Sequence, residues 1–266
     1  MGISDTVRPR LSPWWRLRRE ILGGWIARGL VKGRPGRALK TDLFDEASGP
    51  YHHAGDLSAP GDFVGLDKDP GVVRRAKARL GMSASCVIGD VRHLPFAAGV
   101  FPVVVSLSTL DHFEHVEDIG ASLRELARVQ SSGGRLLLTL DNPANPEVGL
   151  RRLLPGFVLR RLRADTFFVG ETVDAQEGRI LLEESGYTVE RIEYLIHVIR
   201  YPAIRVLQWL ERGRLVGLLA AAERVVLAVE GLGRLPTRVL TGHYLAWVAR
   251  KSRDRGQGQG TVNIEQ

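Results

Sequence analysis

The feature that most restricts the fold is the alternation of short apolar runs with helical stretches between Asp62 and Asn142. Phe63-Val64-Gly65-Leu66 has strand length and ends at Asp67, after which Asp69-Pro70 opens a helix as N-cap and first helical residue. Val72, Val73, Ala76 and Leu80 recur at helical spacing, and Gly81 stands where a left-handed C-cap belongs. Cys86-Val87-Ile88-Gly89 is the next strand and runs out at Asp90. Phe101 to Leu107, Val-rich and almost wholly apolar, suits a strand buried on both faces. Ile119, Leu123, Leu126 and Val129 mark a further helix, expected to stop at Gly133-Gly134. Arg135 to Leu140 forms the last strand of the run, ending at Asp141-Asn142-Pro143. Strands alternating with helices imply an α/β fold, a mainly parallel, doubly wound sheet. Such sheets bind ligands beyond the carboxyl ends of their strands, where Asp67, Asp90 and Ser106 to His112 all fall.

The remaining sequence adds an arm and a second half to this run. At 266 residues there is ample material for one elaborated domain. The single cysteine, Cys86, excludes an internal disulfide framework and fits a reducing cytoplasm. No Cys-x-x-Cys or His-Glu-x-x-His spacing suggests a metal site. The net charge of +7 is unevenly placed: residues 1–40 carry ten Lys/Arg and two Asp/Glu, so the other 226 residues net −1. A basic groove across the whole protein is therefore not expected, and neither is nucleic acid as a partner. In the arm, Ser12-Pro13 is a helix start, and Trp14, Trp15, Leu17, Ile21, Leu22, Trp25, Ile26 and Leu30 make one apolar face. Arg16, Arg18, Arg19, Arg28 and Lys32 fall mostly on the other. Two roles fit residues 12–32: a lid packed on the domain, or an interfacial helix on an anionic membrane surface. The second would make a cytoplasmic protein peripheral at the inner face of the membrane. The stretch is neither a signal peptide nor a bilayer span.

Between arm and core, Gly33-Arg34-Pro35-Gly36 reads as a turn and Arg37 to Asp42 as the first strand of the sheet. Lys40-Thr41 does not complete the Gly-x-x-x-x-Gly-Lys-Ser/Thr order of a P-loop, and no Gly-x-Gly-x-x-Gly follows, which disfavours a dinucleotide enzyme. Leu43 to Pro50 reads as an acidic loop, and the segment up to Pro60 as a poor helix. Further on, Arg151, Arg152, Arg160, Arg161 and Arg163 surround Leu153, Leu154, Phe157, Val158 and Leu159, followed by Phe167-Phe168. Thr172 to Gly186 reads as a helix. Residues 199–236 look like an inserted helical pair, too short and too charged to span a bilayer.

Taken together, Val64-Gly65-Leu66-Asp67, Gly89 to Phe96, Val100 to Ser106, Leu110-Asp111-His112-Phe113, Leu123 to Val129 and Ser132 to Leu136 carry a resemblance. Their order and spacing resemble class I S-adenosylmethionine-dependent methyltransferases, in particular the small-molecule group that includes the ubiquinone/menaquinone methyltransferases. The resemblance implies a Rossmann-like doubly wound sheet of seven strands, the last antiparallel, with Tyr187–Val198 and His243–Lys251 as its sixth and seventh strands. The layout is then an arm (1–36), a core (37–198), an inserted helical cap (199–241), a final core strand (242–251) and a disordered tail (252–266).

The implied cofactor is S-adenosyl-L-methionine. A carboxylate after the second strand can accept both ribose hydroxyls, which suits Asp67. One after the third can accept from the adenine amino group, which suits Asp90 with the Val91 backbone beside it. Ser106 belongs to the same set, and Asp42 is the candidate for the cofactor's ammonium. For an acceptor that must lose a proton, His112 is the candidate base and Asp111 its orienter. The acceptor implied is a small, hydrophobic or lipid-like molecule; the alternative is a non-catalytic binding or scaffold protein on the same fold. Two positions depart from the family pattern. Asp42, Phe44 and Glu46 stand where a Gly-x-Gly loop normally approaches the cofactor, and Pro102 replaces an aspartate at the start of the fourth strand.

Overall fold

A computed structural model describes residues 13–30, 36–49, 52–57, 59, 61–154 and 170–253. Most of the expected 151–168 basic-apolar segment, of the 33–36 turn and of the 252–266 tail lies outside the described residues. Seven strands form one sheet: β1 (Ala38–Lys40), β2 (Phe63–Asp67), β3 (Ala84–Ile88), β4 (Phe101–Leu107), β5 (Gln130–Asp141), β6 (Tyr187–Leu195) and β7 (Tyr244–Lys251). Their order is β3-β2-β1-β4-β5-β7-β6. The pairs among β1 to β5 are parallel, while β7 runs antiparallel to both β5 and β6. The strand order reverses between β1 and β4, which opens a crevice at their carboxyl ends.

Side chains alternate between two cores. Val103, Val105, Leu137, Ala246 and Val248 face one side with α1 (Pro13–Gly29) and α4 (Pro70–Leu80). Val104, Leu136, Leu138, Leu245 and Trp247 face the other, against α5 (Val116–Val129) and α7 (Ala175–Glu184). Strands buried on both faces have no polar alternation to offer, which is why β4 and β5 read as continuous apolar runs. Asp69 caps α4 by accepting from the amides of Gly71 and Val72, and Gly81 follows with φ of 60°.

Several boundaries differ from expectation. The stretch after β1 is not a loop: Phe44–Ser48 forms α2 and Ala54–Leu57 forms α3. Asp42 makes this turn work by accepting from the Phe44 amide at 2.9 Å. Helix α5 ends at Val129, and Gly133-Gly134 lie inside β5 instead of stopping the helix. There the β4–β5 register jumps, with Phe101 opposite Gln130 and Val103 opposite Arg135. Pro102 has no amide to give the ladder, so the jump costs no hydrogen bond from it. Gly134 leaves room for the Pro102 carbonyl, which a Cβ would approach to 2.9 Å. Helix α7 starts at Ala175, three residues later than Thr172, because Asp174 and Glu177 form a capping box.

The arm's apolar face is in the core: Trp14, Leu17, Leu22, Trp25 and Ile26 are all buried. Trp14 and Trp25 therefore have no surface to present to headgroups, which favours the lid role over the described residues 13–30. Its arginines are not loose either. Arg18 reaches Asp45 at 3.1 Å, Arg19 Asp56 at 2.5 Å and Arg28 Glu193 at 3.3 Å, and Arg16 pairs with Glu223. Over α1 lie α8 (Arg200–Arg212) and α9 (Val216–Val229), joined by the three-residue turn 213–215. Among the described residues, no helix is long and apolar enough to cross a membrane.

Candidate active site at the switch point of the sheet

Asp67 ends β2 one strand away from the crevice. Its Oδ2 accepts from the Leu43 amide at 3.0 Å and its Oδ1 from the Asp69 amide at 2.9 Å. Each carboxylate oxygen can take a second donor, so one acceptor position per oxygen is left, the geometry a vicinal diol requires. Burial raises the Asp67 pKa, helped by the charges of Asp42 and Asp69 and opposed by those two amides. Leu43 itself turns down onto β2, where a Cβ on Gly65 would lie 2.2 Å from it. That side chain fills the layer between β2 and the helices, not the crevice at the strand ends.

Asp90 lies two residues beyond β3 and is paired with Arg92. The guanidinium donates to Oδ2 at 2.7 Å and to Oδ1 at 3.1 Å, and the Arg92 amide donates to Oδ1 at 2.9 Å. These hydrogen bonds hold the Asp90 carboxyl below the usual range. The guanidinium Nε also reaches Oδ2 at 3.3 Å, so each Asp90 oxygen has two donors and a further donor would displace part of the Arg92 contact. Arg92 also reaches Asp118 at 3.1 Å and lies over the Phe113 ring. Val91 beside it is buried in the second core.

At the end of β1, where glycines were expected, the chain builds a charged clamp instead. Lys40, fully buried, donates to Glu46 Oε2 at 2.9 Å, to Asp42 Oδ2 at 3.1 Å and to the Asp42 carbonyl at 2.7 Å. Burial alone would lower the Lys40 pKa, but Asp42 and Glu46 hold it above the ordinary value. Asp42 is therefore committed to Lys40 and to the Phe44 amide, with its side chain about a fifth exposed. Ser106 is fully buried, with its Oγ 2.9 Å from the Thr41 hydroxyl.

After β4, a single turn of 3-10 helix spans Leu110–His112. His112 is exposed on it, whereas Asp111 is buried and accepts from the Asp141 amide at 2.9 Å. Burial, reinforced by the Asp141 charge, pushes the Asp111 carboxyl up to about 7. At the start of β7, His243 is fully buried with Nε2 3.6 Å from Asp141 Oδ1. Burial and then the charges of Arg200, Arg151 and Arg18 keep that imidazole neutral, well below its usual pKa. Asn142 and Asn145 fasten the end of β5 to the carbonyls of residues 239–242. Lys40, Glu46, Asp141 and His243 were not expected as partners. Asp141 and His243 meet only when β5 and β7 pair, whereas Lys40 and Glu46 meet only because the chain turns into α2 after β1.

A cleft of about 280 Å³ between α1 and α3, lined by Arg19, Gly23, Ala27, Gly55 and Asp56, lies away from these strand ends. Asp67 keeps acceptor positions that fit a diol, and side chains of the Lys40 clamp stand where the family pattern has a glycine backbone.

Comparison with known proteins agrees with this arrangement. Residues 45–138 match the family described as "Methyltransferase domain". A demethylmenaquinone methyltransferase of Corynebacterium glutamicum is 34% identical over 121 residues, covering 42% of this chain and 50% of that protein. The chain thus spans about half the length of the curated relatives from that organism. Among solved structures, an S-adenosylmethionine dependent methyltransferase from Mesorhizobium loti has a TM-score of 0.57 at 14% identity, covering 87% of this chain and 99% of that one. The cyclase SpnF superposes with a TM-score of 0.55 at 17% identity, over 87% of this chain and 80% of its own. Residues 45–138 thus match a methyltransferase domain, and the chain shares a seven-stranded Rossmann-like fold with solved methyltransferase structures.

Proposed function

We propose that this protein transfers a methyl group from S-adenosylmethionine to a small, hydrophobic acceptor. The observation that carries the reading is the Asp67 carboxylate, with one acceptor position left on each oxygen, beside a second carboxylate, Asp90, just beyond the end of the adjacent strand. In this reading Asp67 takes the ribose hydroxyls, Asp90 and the Val91 backbone take the adenine, and Asp42 faces the ammonium. Ser106, held by Thr41, stiffens the floor of the crevice beneath them. When bound, the sulfonium supplies an electrophilic methyl group. The protein's work is then to align the acceptor and keep water out. An acceptor hydroxyl or phenol gives its proton to His112, which stands at the mouth of β4, while Asp111 anchors that turn to β5. A hydrophobic acceptor is supported by Leu150 and Leu153, exposed on α6 (Pro146–Leu153) just after β5, and by the similarity to a demethylmenaquinone methyltransferase.

A second reading, a binding protein without turnover, is favoured by the clamp of Lys40, Asp42 and Glu46 at the glycine-loop position. Isothermal titration with S-adenosylmethionine separates the two. The enzyme reading expects micromolar affinity that falls at least tenfold in Asp67→Ala, since a bidentate charge-assisted contact contributes about 2–3 kcal/mol. Absence of heat with the unaltered protein would leave only the binding-protein reading.

A further inference from the structure

The α8–α9 hairpin turns one side to α1 and the other to solvent, and the outer side is unusual in both shape and charge. On α8, Val206 and Trp209 are 51% and 65% exposed; on α9, Leu218 and Val225 are 58% and 61% exposed. Their inner counterparts Leu207, Leu210 and Val226 are buried, so each helix presents a distinct outward stripe. The first residue of α9, Val216, adds to this side and is 74% exposed.

Charge is sorted in the same way. Residues 199–241 contain seven arginines and three glutamates, with no lysine or aspartate. Two of the glutamates are spent inward. Glu223 pairs with Arg16 of the arm, and Glu230 accepts from the Ile196 and His197 amides at 3.1 and 2.9 Å. Arg200 is the one arginine turned in, beside Tyr201. The other six are exposed; Arg205 and Arg212 share the stripe of Trp209, and Arg224 flanks Val225 on α9. An apolar ridge bearing a tryptophan and bordered by arginines, with two of its three carboxylates withdrawn, complements an anionic lipid surface. A protein groove would need a facing apolar pocket but no such surplus of positive charge.

We propose that the outer face of α8 and α9 docks this protein onto anionic bilayers, with Trp209, Val216 and Leu218 entering the headgroup boundary and the arginines meeting lipid phosphates. The inference does not depend on methyl transfer, and it assigns membrane contact to the cap and not to the arm, whose Trp14 and Trp25 are buried.

The test is flotation of the full chain with vesicles of phosphatidylglycerol and phosphatidylcholine, against pure phosphatidylcholine. Two variants are compared, Trp209→Glu/Leu218→Glu and Arg205→Gln/Arg212→Gln/Arg224→Gln, each checked for an unchanged unfolding midpoint. Binding to the anionic vesicles should weaken more than tenfold in either variant and fall as salt is raised, with little binding to neutral vesicles. Quenching of Trp209 fluorescence by brominated lipid, lost in Trp209→Phe, should report its insertion. Failure of the unaltered protein to float overturns the proposal, as does equal flotation of both variants. Sedimentation showing a dimer that Trp209→Glu/Leu218→Glu dissociates would assign the face to a second copy of the chain and likewise overturn it.

Discussion

Replacing Asp111 with asparagine tests the electrostatics at the end of β4 directly. The carboxyl is buried, accepts from the Asp141 amide through Oδ2, and its Oδ1 has no partner. Its pKa rises from an ordinary 3.8 to about 7 in the fold. The folded protein therefore holds a proton between those values that the unfolded chain has released. Stability from this group is fully present below the lower value and is lost as pH rises through the upper one. At about 1.4 kcal/mol per pH unit, the loss between pH 5 and pH 8 comes to about 2.5 kcal/mol. Asparagine copies the neutral acid in shape and keeps an acceptor for the Asp141 amide, but it cannot ionise. The stability of Asp111→Asn relative to the parent should thus improve by about 2.5 kcal/mol from pH 5 to pH 8. Urea unfolding followed by tryptophan fluorescence at several pH values gives both curves. Comparing them cancels His243 and other groups that titrate in each protein. A difference that stays flat across this range would refute the assignment of a raised pKa to Asp111.

Three further expectations rest on single contacts. Lys40→Met strands Glu46 in the core and should cost about 3–5 kcal/mol in urea unfolding, most of it recovered in Lys40→Met/Glu46→Leu. Gly178→Ala would drive a Cβ to 2.5 Å from the buried Trp247 ring. Overpacking of that kind should destabilise by about 1–3 kcal/mol despite the better helix propensity, read by the same assay. Loss of cofactor heat in Asp67→Ala, with the unfolding midpoint retained, is the corresponding check on the strand-end carboxylates.

What could be read from the sequence follows the range of the interactions. Asp69-Pro70, Gly81 and the apolar run Phe101 to Leu107 are local signals, and α4 and β4 lie where those signals put them. The antiparallel β7 was legible only through the family resemblance, because nothing within His243 to Lys251 specifies strand direction. The stretch after β1 shows the opposite case. Asp42, Asp45 and Glu46 read as an acidic loop because their cations are invisible in sequence. Lys40 points into the interior from the end of β1, and Arg18 arrives from a helix 27 positions away. With those charges met, Phe44–Ser48 can be a buried helical turn. Gly133-Gly134 misled for a related reason: glycine serves a helix end and a strand bulge equally well, and only Pro102 on the facing strand decides between them.

The arm brings these two kinds of information together. Its helical period was plain, and the period alone allowed either a lid or a membrane helix. The choice was made by partners remote in sequence: Asp45 on α2 takes Arg18, while Glu223 on α9 takes Arg16. Arg18 is also among the charges that hold His243 neutral at the start of β7. One helix therefore pairs with the turn after β1 and the cap above it, and its Arg18 charge acts on the buried imidazole beside Asp141. Loss of α1 would uncover Trp25-lined core, strand Asp45 and remove the bed on which α8 and α9 lie. The arm is accordingly a structural part of the switch-point architecture, and the outward faces of α8 and α9 are what it leaves available for contact with anything else.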